Sequence, residues 1–272
     1  MAGPAEAAVW RRWEARVRAV GDHRTRQAEG VCFVEGIRAV RSAEEVGIPF
    51  EAVLYCPARL RSVAALAVVE RLRVAAVPCI AMPAARFARL SGMDNPVGLA
   101  ALVRWGPLSL DTLRLPPDAL LLIAEDIGDP GNLGTLIRTA DGAGAAAVVV
   151  AGGGTDPAHR HSLRASLGTA FRLPVAVVAD ASEAVAWAGR AGLTTVATSA
   201  QTGRLLWAAE LRPPLALVVG SEERGLRPET AAACAVCVRI PMLGTATSLN
   251  VAVAAGILLY EGRRSHRWGC TL

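Results

Sequence analysis

From residue 119 onward the chain alternates between short apolar runs and segments of helical period. The apolar runs lie near 119–125, 145–151, 174–178, 194–198, 215–219 and 236–240. The helical patterns lie near 133–141, 157–168, 182–190, 226–235 and 248–263. Runs that are apolar along their whole length belong to strands buried on both faces, and helices between such strands act as crossovers. This alternation predicts an α/β fold with a mostly parallel sheet covered by helices on both sides.

A shorter series precedes it. Residues 5–20 read as a helix. "VCFVEG" (31–36), "AVLYC" (52–56), "AAVPCIA" (75–81) and "VGLAALV" (97–103) read as strands, and 37–47 and 59–72 as helices. These form a first, smaller α/β unit over residues 1–105. "GPLSLDTLRLPPD" (106–118) holds three prolines and no sustained period, so it is the expected linker, with the second domain over 119–272.

Composition removes several function classes. The longest apolar run near the end, "VAVAAGILLY" (251–260), is too short for a bilayer, which takes about 20 residues. The first residues carry charge but no continuous apolar core of a signal peptide. No membrane association and a cytoplasmic location are expected. The six cysteines stand at 32, 56, 79, 234, 237 and 270. Cys234 and Cys237 form a single CxxC with no second pair, so buried thiols are expected and no metal site. All 29 basic residues are arginine, so every cationic contact to a phosphate is a guanidinium. The net charge of +5 is compatible with a nucleic-acid partner.

The common nucleotide-binding signatures fail. No GxGxxG follows the first strand of either unit. "GSEERGL" (220–226) is spaced like a phosphate loop, but Leu226 and Arg227 stand where Lys and Ser or Thr belong. Three other stretches follow strands and lead into helices: "DPGNLGTLIRTADGAGA" (129–145), "LVVGSEERGL" (217–226) and "RIPMLGTATSLNVAVAAGILLYE" (239–261). Ligands of parallel sheets gather at the carboxyl ends of strands, where helix starts offer unpaired N–H groups. In the first stretch Asn132 reads as the N-cap, and Leu133, Leu136, Ile137 and Ala140 as the buried stripe. The third stretch carries Ser248 and Asn250 on its expected first turn. Its helix is apolar nearly all round, so it is buried in a core or at a subunit interface.

In type, order and spacing these three stretches resemble the signature motifs of the SpoU/TrmH family of RNA ribose 2′-O-methyltransferases, in the SPOUT class. The resemblance covers most of 119–264. "FVEGIRAVRSAEEVGIPFEAVLY" (33–55) resembles the substrate-binding domain of many ribosomal-RNA members, which is similar to ribosomal protein L30e/L7Ae. The resemblance implies a sheet domain whose chain end is threaded into a trefoil knot, S-adenosylmethionine (SAM) as cofactor, and a homodimer. It assigns Thr198, Gly220, Ser221, Ile240, Met242 and Leu249 to the cofactor, and Asn132, Arg138, Glu222, Ser248 and Asn250 to the reacting centre. One residue departs from the pattern: Glu223 stands where members commonly have Gly.

Taken singly, each residue has an ordinary reading. Asn132 is a cap, Arg138 a solvated helix residue, Glu222 a loop charge, and Ser248 a cap for the last helix. Their joint occurrence carries the functional reading. On that reading Asn132 and Asn250 orient the ribose or the cofactor tail, and Ser248 bonds near the target nucleotide. Arg138 meets the adjacent phosphate and the 2′-oxygen. His159 and His161 read as loop or helix-start residues. Arg160 and Arg164, with Arg11, Arg12, Arg16, Arg18, Arg24 and Arg26, are candidate phosphate contacts. The expected activity is methylation of ribosomal RNA, 23S among them, either as housekeeping or as protection against a ribosome-targeting antibiotic. A tRNA 2′-O-methyltransferase and a non-catalytic RNA-binding protein are the alternatives.

Overall fold

The computed structural model describes residues 3–200 and 204–264; Cys270 lies outside them. In chain order the first elements are α1 (Pro4–Ala19), α2 (His23–Glu29), β1 (Val31–Glu35), α3 (Ile37–Glu45), β2 (Phe50–Tyr55), α4 (Val63–Val74), β3 (Cys79–Ala81), α5 (Ala84–Leu90) and β4 (Leu99–Arg104). There follow β5 (Leu120–Glu125), α6 (Pro130–Gly142), β6 (Ala147–Ala151), α7 (Arg160–Ala165), β7 (Val175–Val178), α8 (Ala181–Arg190) and β8 (Thr194–Thr198). The chain continues with β9 (Arg204–Leu205), β10 (Leu215–Val219), α9 (Pro228–Ala233), β11 (Val236–Arg239) and α10 (Val251–Arg264).

The chain divides into two compact units. One comprises Met1–Gly106 with Ala158–Arg172, the other Pro107–Pro157 with Leu173–Leu272. The smaller holds a four-stranded sheet of order β1-β4-β2-β3, in which only β2 and β3 are parallel. Trp10, Trp13 and Val17 of α1 pack with Phe33, Leu54, Phe87 and Leu102 to form its core. The Trp10 indole N–H donates to the Ala81 carbonyl at 2.9 Å, which satisfies its polar edge.

Residues 158–172 belong to this unit, although their helical pattern continues the second series in sequence. Arg160 explains the placement. Its guanidinium lies 5.0 Å from the Phe33 ring and donates to the Leu90 carbonyl at 2.8 Å and to Glu35 at 3.1 Å. Glu35 is itself almost fully buried and also accepts from Ser91 and from Gly92 N–H. Further along, the Ser42 hydroxyl donates to Gly168 O at 2.8 Å and accepts from Arg172 Nε at 3.0 Å.

Several arginines that read as phosphate contacts are thus structural. Arg160 is committed to Glu35. Arg26 is buried and donates to the Val20 and Gly21 carbonyls. Arg16 makes a two-pronged bond to Glu51 at 2.6 and 2.8 Å and pairs with Glu29 at 2.5 Å. That pairing holds the Glu51 carboxyl below its usual pKa. Replacing Arg160 with Ala should destabilise the smaller unit by about 1–3 kcal/mol, because a buried carboxylate loses a donor. Thermal unfolding reads this. An unchanged melting curve with weakened RNA binding would return Arg160 to the phosphate-contact role.

The larger unit holds a seven-stranded sheet of order β7-β6-β5-β10-β8-β11-β9, and every recorded pairing is parallel. Leu121, Ile123, Val149 and Val218 face one way, onto Ala181, Ala184, Val185 and Ala188 of α8. On the other face α6 and α10 pack together, with α10 also against β5 and β10. All six β5 residues are buried, as an apolar run between two helical layers requires.

Candidate active site

Four loops leave the carboxyl ends of β5, β8, β10 and β11. The β5 loop enters α6 through Asp129, whose carboxylate accepts from Asn132 N–H at 2.7 Å, with Pro130 at the first helical position. The N-cap is therefore Asp129 and not Asn132. An Asp-Pro pair satisfies both the free N–H and the fixed φ of a helix start. This releases the Asn132 side chain. Its Nδ2 donates to Glu222 Oε1 at 2.6 Å, and its Oδ1 accepts from Asn250 Nδ2 at 3.0 Å. Asn250 Oδ1 in turn accepts from Ala252 N–H at 2.9 Å, so Asn250 caps α10 from just outside it. Ser248 precedes the helix and lies exposed in the β11 loop, not on the first turn as expected.

The three stretches thus meet through one hydrogen-bonded chain, Asn250–Asn132–Glu222. Beside it lies a cavity of about 520 Å³, lined by Thr198, Gly220, Ser221, Ile240, Met242 and Leu249, with Glu222 and Ser248 also on its wall. That volume falls in the roughly 300–1,000 Å³ range of small-molecule sites. Val219, Val251, Ala254 and Leu258 add apolar surface. All six residues expected at a cofactor are on this cavity. Another cavity, lined by Leu113, Pro116, Trp187, Leu193 and Pro214, opens beside the residues that precede β8 and β10. It lies at the wrong end of a parallel sheet for chemistry.

The loop carrying Glu222 is a tight turn. Gly225 N–H donates to Ser221 O at 2.9 Å, and Gly225 adopts φ +69°. A Cβ on Gly220 would overlap the backbone of Gly225 and Leu226. Behind the turn is a set of charges that sequence reasoning missed. Glu125, fully buried at the end of β5, accepts from Arg227 N–H at 2.9 Å and from the Thr230 hydroxyl at 2.6 Å. It thereby braces the start of α9, whose N-cap residue, Arg227, does not cap the helix with its own side chain. Asp126, at φ +51°, accepts from Arg227 Nη2 at 2.7 Å and from Gly153 N–H at 2.8 Å. The Asp126 carboxylate holds the Arg227 guanidinium pKa above its ordinary value. The only signal for this clamp in sequence is three charges at the edges of motif stretches.

Arg138 stands apart. It is exposed on α6 and makes no side-chain bond among the described residues. Six positions place it roughly 120° around the helix from Asn132 and roughly 9 Å further along. Within one chain the structure does not bring it to Asn132, Glu222 and Asn250. Of the CxxC pair, burial pushes Cys234 up to about 12, so it stays protonated at neutral pH, while Cys237 lies on the cavity wall. His159 caps α7, and no metal-binding group occurs among the described residues.

Residues 119–260 match the profile of the SpoU rRNA methylase family. The chain belongs to that family. Residues 16–101 match an MRM3-like substrate-binding domain, so this SpoU methylase carries a substrate-binding module ahead of its catalytic one. It is 32% identical over 270 residues to a 23S rRNA (uridine(2479)-2′-O)-methyltransferase of Streptomyces viridochromogenes, covering 97% of this chain and 92% of that one. Two solved structures extend the likeness. One is an AdoMet-bound rRNA methyltransferase from Sinorhizobium meliloti, with TM-score 0.83, 27% identity and 93% and 95% coverage. The other is the SpoU methyltransferase AviRb from S. viridochromogenes with AdoMet, with TM-score 0.82, 32% identity and 94% and 97% coverage. This member's departure at Glu223 leaves the loop backbone unstrained. Glu223 is not among the positive-φ residues, and its N–H donates to the Ser221 hydroxyl at 3.3 Å. No helix among the described residues is long and apolar enough to cross a membrane.

Proposed function

We propose that this SpoU methylase transfers a methyl group from SAM to a ribose 2′-hydroxyl of 23S ribosomal RNA in the cytoplasm. The observation that carries the reading is Glu222, which lines the cavity and also closes the Asn250–Asn132–Glu222 chain. Cofactor pocket and polar cluster are therefore one site. The cavity fits SAM in kind, with a backbone-rich lip at Gly220 and Ser221 and apolar walls at Ile240, Met242 and Leu249. When bound, the cofactor supplies an electrophilic methyl group.

The chain's own residues orient and stabilise. Asn132 and Asn250 each spend one amide N–H on the cluster and keep the other for the ribose or the cofactor tail. Ser248 offers its hydroxyl beside the target nucleotide. The planar Arg138 guanidinium stabilises charge on the 2′-oxygen as the hydroxyl proton leaves to phosphate or water. In-line positioning supplies much of the acceleration.

A second copy of the chain completes the site. Along α10, Val253 is 53% and Tyr260 46% exposed, with half-buried Ile257 between them. This apolar stripe at i, i+4 and i+7 has no cover among the described residues of one chain. It borders Arg138, because the Tyr260 hydroxyl donates to Gly142 O at 3.2 Å and Gly256 adjoins Thr139. Docking there places Arg138 at the boundary with the partner, which supports action in the partner's site. The return of α10 from β11 at the sheet's far side to α6, β5 and β10 supports the threaded, knotted chain end.

Light scattering at micromolar protein should give about twice the 28.3 kDa chain mass. Mixing Arg138→Ala subunits with Asn132→Ala subunits should restore activity that neither has alone; a stable active monomer, or no complementation, contradicts the shared site. The function itself is tested by labelling ribosomal RNA with methyl-tritiated SAM and mapping the blocked 2′-hydroxyl. Label confined to tRNA would shift the substrate. SAM binding without transfer to any RNA would leave a binding protein.

A further inference from the structure

The outermost strand of the large sheet, β9, is two residues long and runs into a single turn over Leu206–Ala208. Leu206, Ala209 and Leu211 are buried and pin this strap in place. Trp207 between them is 57% exposed, with Leu205 at 39% beside it. Leaving so large an apolar surface in water forgoes the favourable free energy of burial, and tryptophan concentrates at binding hot spots.

Its place in the fold is informative. β9 runs parallel to β11, with Val238 opposite Arg204 and Arg239 opposite Leu205. Trp207 therefore lies just past the carboxyl edge of the sheet, the edge at which Ile240 and Met242 line the cavity. The surrounding charge is positive. Arg204 and Arg239 meet no carboxylate among the described residues, and Arg212 has only a 3.9 Å approach to exposed Glu210.

We propose that Trp207, with Arg204 and Arg239 on the adjoining strands β9 and β11, is a stacking platform for an unpaired base of the substrate RNA next to the methylated nucleotide. The inference rests on the RNA-methyltransferase reading above. An exposed aromatic face with unneutralised guanidiniums suits a base and its phosphates, because every base has a face to stack and every linkage an anion to neutralise. A second copy is the weaker candidate for this surface. The helix that carries the stripe proposed for the dimer, α10, packs over β10 and β5, and β10 is three strand spacings, roughly 14 Å, from β9.

The test uses the intact protein, with a fluorescein-labelled oligouridylate as binding probe and 23S rRNA as methyl acceptor. Trp207→Ala should weaken oligouridylate binding by about 5- to 100-fold, the scale of one lost base–aromatic stack. KM for rRNA should rise while kcat at saturating RNA and SAM affinity stay near wild type. Trp207→Phe should recover most of the loss. Arg204→Ala and Arg239→Ala should each reduce the salt dependence of binding by about one counterion. Wild-type RNA binding in Trp207→Ala overturns the platform while leaving the enzyme reading intact. So does a shift of Trp207→Ala from dimer to monomer, which would make the patch a subunit contact. A wild-type protein that methylates no RNA overturns both.

Discussion

Replacing Arg138 with Ala will lower the single-turnover rate of methyl transfer by at least about a hundredfold, the scale of losing one preorganised charge-stabilising donor. The fold should survive, because Leu133, Leu136, Ile137 and Ala140 on the buried side of α6 are untouched. SAM affinity should survive too, since Arg138 is not on the cavity wall. Arg138→Lys keeps the charge but loses the planar fork, and should rescue little. Rates are to be measured at saturating SAM and RNA. Near-normal transfer by the Ala variant would make Arg138 an ordinary solvated residue.

Gly220→Ala acts on the other half of the site. The added methyl meets the backbone of Gly225 and Leu226, which has no flexible end to move aside. The Ser221–Gly225 turn must open, and Glu222 moves with it. Overpacking of this kind costs about 1–3 kcal/mol, so SAM affinity should fall by about 5- to 150-fold. Transfer at saturating SAM should fall as well, because Glu222 is drawn away from Asn132. Gly128→Ala is the control: its added methyl has nothing within 4 Å. Calorimetric titration of SAM separates the two, and equal affinities would show that the turn is softer than its geometry implies.

The strands of the large sheet were legible because burial on both faces leaves an uninterrupted apolar run. β5, β8 and β10 fall within a residue of their expected positions. The short helices α2 and α5 were not legible, since seven residues hold too little period to stand out. The β9 strand is two residues long and exists only through its neighbour. The site residues were visible as spaced motifs, but their bonding was not. Asp129-Pro130 was a readable helix start that outcompeted Asn132 as the cap. Nothing local distinguishes Arg26 or Arg160, held by distant carbonyls and carboxylates, from an arginine in solvent. For the same reason the helical pattern at 157–168 could not reveal that its partners are Phe33, Glu35 and Ser42.

That partnership has a consequence for how the protein is made. Synthesis runs from the amino end, and the sheet strands β1 to β4 have all been made by Arg104. The arginine that neutralises buried Glu35, and the segment that satisfies Ser42, come later. At about 5–20 residues per second, roughly 3–13 s separate Gly106 from Arg172 at the exit of the ribosome. During that interval the leading unit is an unfinished object with a buried-to-be carboxylate and the Phe33 face still open. Glu35 then has only Ser91 and Gly92 N–H as donors, and Ser42 lacks the Gly168 carbonyl. Its completion waits until β5, α6 and β6 of the other unit have also been made.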